Sequence, residues 1–260
     1  MYDEKLILIC EDSMEGIFTA VYDGWMTGAK GTMVEIRTEM PDSLELFCTY
    51  QEIETDGEKS CKVGRTIREK LGEETYEYIC YAVVSTHPDK GTAIFQVLLK
   101  ALSKGRRNRR IMEDLSDPYV NIVWKLHTKV WHEFHRFYGF VRFRELGGGV
   151  LFSKIAPEND ILVMLAPHFE NRFPNEHWMI YDERRGKVIL HPRGEKCTLR
   201  TGVELSEGYR EELMNREEYE DLWKAFCESI TVHERRNGKL QQQFVPLKFR
   251  SNMLEFNQSP

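Results

Sequence analysis

Two histidines and an aspartate stand where a proton could be moved. His135 lies in the run HEFHRFYGFVRFREL, residues 132–146, while His168 and Asp182 lie in LAPHFENRFPNEHWMIYDERRG, residues 165–186. At helical spacing His135 falls at the edge of an apolar arc beside Trp131 and Tyr138, a boundary at which an imidazole can act as general base. Asp182 could orient such a base, which is the chemistry of a hydrolase acting on nucleotides or bases. His168 and Arg172 are one helical turn apart and can share a face that holds a phosphate or a carboxylate. His132, His135, His168 and His177 fall into no HExxH or Cys/His zinc spacing, and the six cysteines form no CxxC pair, so no metal is expected. The chain has no P-loop, no GxGxxG after a strand, no GxSxG elbow and no zinc-deaminase signature, and no cofactor is expected.

Phosphate binding is the second chemistry on offer. The net charge of −6 argues against a generic polyanion binder, because strength toward phosphates comes from clustered Lys and Arg. The distribution is uneven, however: residues 1–60 hold 4 basic and 14 acidic side chains and residues 204–221 hold 2 and 8, whereas residues 104–152 hold 10 and 5 and residues 225–250 hold 5 and 2. In the first basic region KGRRNRR (104–110) precedes a helix on which Lys125, Lys129, His132 and Arg136 align in one row, and Arg142 and Arg144 follow. Cations so spaced can meet successive phosphates, each contact releasing counterions. In the second, Arg235, Asn237 and Gln241 occupy ITVHERRNGKLQQQFVPLKFR, residues 230–250, where Asn and Gln can read base edges and Arg can grip guanine or phosphate. Arg172 and Arg184 add cations to the stretch holding His168. The plain structural readings are a solvated helix face for the row and a charged hairpin turn at residues 182–186.

These side chains need elements to position them. LILIC (6–10) reads as a strand, and EDSMEGIFTAVYDGWM as a helix capped by Ser13. Two further strands are expected at 33–39 and 44–50 around a Pro41-Asp42-Ser43 turn, then helices at 74–85 and 92–104. A long helix starts near Asp117-Pro118 and runs to about Tyr138, with Gly139 ending it. On a helical wheel Val120, Val123, Trp124, Val130, Trp131, Phe134, Phe137 and Tyr138 fall on one arc, expected to be core, with His127 in its middle as a core histidine. FVRFREL and VLFSKI make a hairpin through Gly147–Gly149, followed by a helix at 159–172, strands near 177–182, 187–191 and 196–200, and a helix-rich tail from about 208. The class is α+β, an N-terminal strand–helix portion and an antiparallel meander packed with several helices. The organisation expected is an α/β portion over 1–86 and a second region over 87–260 with the basic helix, the meander and the tail, the two able to form one continuous domain. MYDEKLILIC has no basic leader or cleavage site, and no apolar run approaches the ~20 residues that cross a bilayer. A cytoplasmic protein with no membrane association is expected.

Taken together, "YDEKLILIC…SMEGIFTAVYDGW", "HRFYGFVRFREL", "LAPHFENRFPNEHWMIYDERRG" and "LWKAFCESITVHERRNGKLQQQFVPLKFR" resemble, in order and over nearly the whole chain, the bacterial family described as DNA-metabolism or DNA-repair proteins. The matching positions are Glu15, Gly16, Thr19 and Ala20, then Glu133, His135, Arg136, Gly139, Phe140, Arg142, Phe143 and Arg144. They continue with Pro167, His168, Phe169, Arg172, Phe173, Trp178, Asp182 and Arg184, and end with Trp223, Arg235, Asn237, Gln241 and Pro246. His132 stands outside the pattern. Members of that family are encoded beside radical-SAM proteins of DNA modification or repair, or fused ahead of a uracil-DNA-glycosylase-like domain. The resemblance thus implies DNA, a radical-SAM protein and a uracil-DNA-glycosylase-like protein as partners, with any base excision supplied by another chain. It supplies no reaction.

Three readings follow. In the first the chain is a DNA-binding accessory protein of repair or base modification, acting with a radical-SAM partner. Arg136, Arg142, Arg144 and Arg235 would hold phosphates, while His135, His168, Arg172 and Asp182 would line a groove, with Arg184, Asn237 and Gln241 as further nucleic-acid contacts. In the second it is a DNA- or nucleotide-processing hydrolase using His135 or His168 with Asp182. In the third it is an adaptor between proteins that touches no DNA. Whether the chain is an enzyme stays open between them.

Overall fold

The computed structural model describes residues 5–102, 108–204, 238–250, 253 and 256. The fold is α+β and divides into two compact units, one of Met1–Glu133 with Glu158–Asp160 and one of Phe134–Pro157 with Ile161–Pro260. Among the described residues no helix is long and apolar enough to cross a membrane.

In the first unit β1 (Lys5–Ile9) is the centre of a parallel three-stranded sheet, with β2 (Val34–Arg37) on one side and β3 (Cys48–Glu52) on the other. Between β1 and β2 runs α1 (Met14–Ala29), capped as expected by Ser13, whose hydroxyl accepts from Gly16 N at 3.0 Å. The third strand begins later than the sequence reading placed it, and pairs with β1 rather than β2, Leu6 facing Thr49 and Ile9 facing Glu52. Helices α2 (Gly57–Leu71), α3 (Glu73–Val83) and α4 (Lys90–Leu102) follow.

Helix α2 is the element that periodicity passed over. Its buried positions are Ser60, Gly64, Ile67 and Leu71, helically spaced but half of them small or polar. The legible signal is its cap, Asp56, whose carboxylate accepts from Glu58 N and Lys59 N at 2.8 and 3.1 Å.

Helix α4 closes the free edge of β2. The Thr92 hydroxyl accepts from Ile36 N at 3.0 Å and donates to Ile36 O at 3.1 Å, and Gln96 Nε2 donates to Val34 O at 3.1 Å. Gly91 permits the approach, because a Cβ there would lie 2.7 Å from Ile36 O. Lys90 is 2% exposed, its ammonium held by the Asp12 carboxylate and by Ser85 O at 2.5 Å.

After a 3-10 turn at Ile111–Glu113 the chain enters α5 (Pro118–Phe140), of which residues to Glu133 belong to the first unit. Asp117 starts it by accepting from Tyr119 N and Val120 N at 2.9 and 3.1 Å, with Pro118 in the first turn. The helix continues past Gly139, Val141 N still reaching Phe137 O at 3.1 Å. Glu133, 4% exposed, accepts from Glu158 N at 2.8 Å and from Asn159 N and Nδ2 at 3.0 and 2.6 Å. Asn159 in turn accepts from Thr86 N at 3.2 Å, and Asp160 N donates to Val84 O at 2.9 Å, so residues 158–160 are bound into the first unit through backbone groups.

The second unit carries a five-stranded sheet in the order β4 (Arg144–Leu146), β5 (Val150–Ile155), β6 (His177–Asp182), β7 (Lys187–His191), β8 (Thr198–Arg200). Its β4–β5, β6–β7 and β7–β8 pairs are antiparallel. Gly148 and Gly149, at φ 87° and 75°, supply the left-handed turn of the first hairpin. The β5–β6 pair is parallel, a departure from a pure meander that follows from α6 (Leu162–Arg172), which carries the chain back to the start of the sheet. Strand alternation and register put Leu151, Ser153, Ile155, Trp178, Ile180 and Asp182 on one face. The other face carries the cluster of Leu146, Phe152, Tyr181 and Val188. Short helices α7 (Gly238–Phe244) and α8 (Leu247–Arg250) follow the sheet in the chain. The helix-rich tail expected from 208 lies outside the described residues up to 237.

The Glu133 carboxylate faces three N–H groups away from water. Glu133→Gln turns an amide NH2 toward at least one of them and should lower unfolding stability by about 2–3 kcal/mol, seen as an earlier urea midpoint at unchanged slope. A parental midpoint would mean that these bonds contribute nothing.

Candidate nucleic-acid interface and histidine cluster

Along α5 the buried side chains are Val120, Val123, Leu126, Val130, Glu133, Phe134 and Phe137. Trp124 and Trp131, expected in the core, are each 37% exposed. The buried set, with Glu133 and Leu126 in it and without Trp124, Trp131 and Tyr138, is centred roughly 50° from the arc expected from hydropathy, and both tryptophans lie at its solvent rim. They are seven residues apart and so about 10 Å along the helix axis. Lys125, Lys129 and His132 are exposed in the same stretch. Lys129 is paired with Glu158, and the His132 ring meets Trp131 edge-on at 5.1 Å. Lys125 makes no salt bridge among the described residues. His127 is half-buried between the rings of Tyr78 and Tyr81, at 4.2 and 4.9 Å, and burial pushes its pKa down.

In the second unit Tyr138 gathers both candidate histidines. Its ring stacks on His168 at 4.0 Å and 20° and meets His135 at 5.5 Å, with Phe134 edge-on at 4.6 Å. Sequence reasoning assigned Tyr138 to the core arc, although its place three residues after His135 was the available signal. His135 is exposed. Burial, then the charge of Arg172, holds the His168 imidazole below its ordinary pKa, so it is neutral at pH 7. Its Nε2 is buried with no hydrogen-bond partner among the described residues. Burial also pushes the Tyr138 hydroxyl up.

Asp182, fully buried, accepts from Arg184 N at 3.0 Å and from Arg185 Nη1 at 3.1 Å in the β6–β7 hairpin, where Gly186 takes φ 58°. It stands four residues along β6, roughly 13 Å, from Trp178, on which Phe169, next to His168, packs at 6.2 Å. The structure therefore brings His135 and His168 to one ring, and holds Asp182 in a hairpin turn.

The predicted cations differ in what they already do. Arg142 donates to Gly139 O at 2.5 Å and Val141 O at 3.3 Å, capping the C-terminal end of α5. Arg136 is exposed with its guanidinium 5.8 Å from the Phe249 ring, and Arg172 is exposed and 5.5 Å from Phe173. Arg144 is half-buried on β4 opposite Phe152, Arg184 is exposed in the hairpin, and Gln241 is exposed on α7. Arg235 and Asn237 lie outside the described residues. Burial pushes the thiols of Cys10 (up to about 12), Cys80 and Cys197 upward, so these three stay protonated at neutral pH. No group of three or more His, Cys, Asp or Glu among the described residues is placed to hold a metal.

The family model for DUF4130, a domain of unknown function, matches residues 88–255. The chain belongs to the DUF4130 family. No curated protein matches it. The DUF4130 span holds α4, α5, both histidines, the whole five-stranded sheet and the expected cations, and it begins two residues before the buried Lys90.

The depressed pKa values of His127 and His168 fix a sign. The unfolded chain takes up protons near pH 6.5 while the folded chain still resists them, so stability is intact above that pH and falls as pH drops through it. Thermal unfolding from pH 7.5 to 5.5 should show the loss, and His168→Phe should lose less over the interval than the parent. Equal losses would contradict a neutral, half-buried His168.

Proposed function

We propose that the chain is a cytoplasmic DNA-binding accessory protein of a repair or base-modification system, working with a radical-SAM partner and alongside a uracil-DNA-glycosylase-like protein. The observation that carries this reading is the exposed stretch of α5 with Trp124, Lys125, Trp131 and His132. Unpaired bases can stack on the two indoles, and cations beside them can meet the intervening phosphates. The resemblance to DNA-metabolism proteins points the same way. Arg136, Arg144, Arg172, Arg184 and Gln241 are further contacts for DNA under this reading, as are Arg235 and Asn237 in the tail. Arg142 has a second duty as a helix cap, so its replacement confounds binding with stability.

A hydrolase reading is favoured by one observation, the neutral His168 stacked on Tyr138 with its Nε2 buried. In that reading His168 is the general base and DNA binding is only its first step.

Trp124→Ala and Trp131→Ala should each weaken binding of a labelled single-stranded oligonucleotide by about tenfold or more, at unchanged circular dichroism. Lys125→Gln should lower affinity modestly and reduce the salt slope by about 1. Parental affinity in the Trp124/Trp131 double variant would remove α5 from the interface. Product formation from DNA that disappears in His168→Ala while binding persists would favour the hydrolase.

A further inference from the structure

Helices α1, α2 and α4 of the first unit enclose a groove with a cavity of about 430 Å³, within the ~300–1,000 Å³ typical of small-molecule sites. Trp25 and Leu98 are among the apolar side chains that line it. One rim is a straight row on α2, Lys62, Thr66 and Lys70, spaced i, i+4, i+8 and so about 12 Å from end to end. Tyr22 forms part of the opposite rim on α1, 43% exposed, with Lys62 Nζ 5.9 Å from its ring centroid.

The rim lysines stand on a locally basic helix, with Arg65 and Arg68 as neighbours on α2, after an acidic N-terminal stretch. Residues 1–60 hold 14 acidic side chains against 4 basic. Several lysines of the unit are paired, Lys59 with Asp23, Lys90 with Asp12 and Lys100 with Asp114 and Asp117, whereas Lys30 and Lys125, like the rim lysines, make no salt bridge among the described residues. Lys62 and Lys70 are exposed and make no salt bridge among the described residues, Lys70 lying in the last turn of α2. An apolar trough of three helices flanked by two ammonium groups without a salt-bridge partner complements a molecule with an apolar body and an anionic head. The lining offers a nucleobase few polar partners for its edge, and this selects an alkyl or aryl body over a base.

We propose that the α1–α2–α4 groove binds a small amphipathic anion, its alkyl or aryl chain laid along Trp25 and Leu98 and its carboxylate or phosphate held by Lys62 or Lys70. The ligand is independent of DNA and of the histidine cluster.

Calorimetric titration of the full chain with dodecanoate, dodecyl phosphate and dodecanol tests it. Both anions, or one of them, should bind at one site and dodecanol at least about tenfold more weakly, and the stronger anion identifies the head group. Lys62→Gln with Lys70→Gln should cost about tenfold, and Thr66→Trp, which fills the trough from a partly exposed position, should abolish binding in a protein of parental unfolding midpoint. No binding of either anion, dodecanol binding as tightly, or parental affinity in the folded Thr66→Trp variant would each overturn the proposal.

Discussion

A carboxylate cannot be taken out of water without donors to meet it, and Glu133 is buried near the C-terminal end of the α5 stretch in the first unit. Its three N–H donors come from Glu158 and Asn159, far away in sequence. Once that demand is met, the rotation of α5 about its own axis is no longer free. Val120, Val123, Leu126 and Val130 turn inward with Glu133, and Trp124 and Trp131 turn to the rim. The exposed indoles on which the DNA-binding reading rests thus accompany a buried face that combines the Glu133 anchor with Leu126 and the valines.

That same anchor explains what the sequence could not convey. Local chemistry was legible: the Ser13 cap, the Asp117-Pro118 start of α5, the glycine turn after β4 and the charged β6–β7 hairpin all follow from side chains within four residues of one another. Non-local constraints were not. A wheel built on hydropathy counts Trp as core and Glu as surface, and both assignments fail where a distant loop supplies hydrogen bonds. Helix α2 carries its apolar stripe in only three residues, Val63, Ile67 and Leu71, beside the small buried Ser60 and Gly64, in an otherwise polar and charged segment. The parallel β5–β6 pairing was hidden for another reason: strand pattern reports alternation, and alternation is the same for either direction of pairing.

Of the candidate site, the histidines were legible and their organiser was not. His135 and His168 share the Tyr138 ring, and burial keeps His168 neutral, a state suited to accepting a proton or to packing. Asp182, chosen as the group that would orient a base, meets Arg184 and Arg185 in its hairpin. The expected arginines also divide by employment, with Arg142 bound to helix carbonyls while Arg136 and Arg172 rest on aromatic rings and stay exposed. Function on DNA, if read from charge alone, would have treated them as equal.

The central claim, that a DUF4130 chain of net negative charge engages DNA through local cationic and aromatic surface, is tested most directly by fluorescence anisotropy with labelled single-stranded and duplex DNA over a salt series. The account predicts binding to the single strand whose log–log slope against salt is about −2 or steeper, as three or more phosphate contacts require. Absence of binding at low salt, or affinity indifferent to salt, would contradict it.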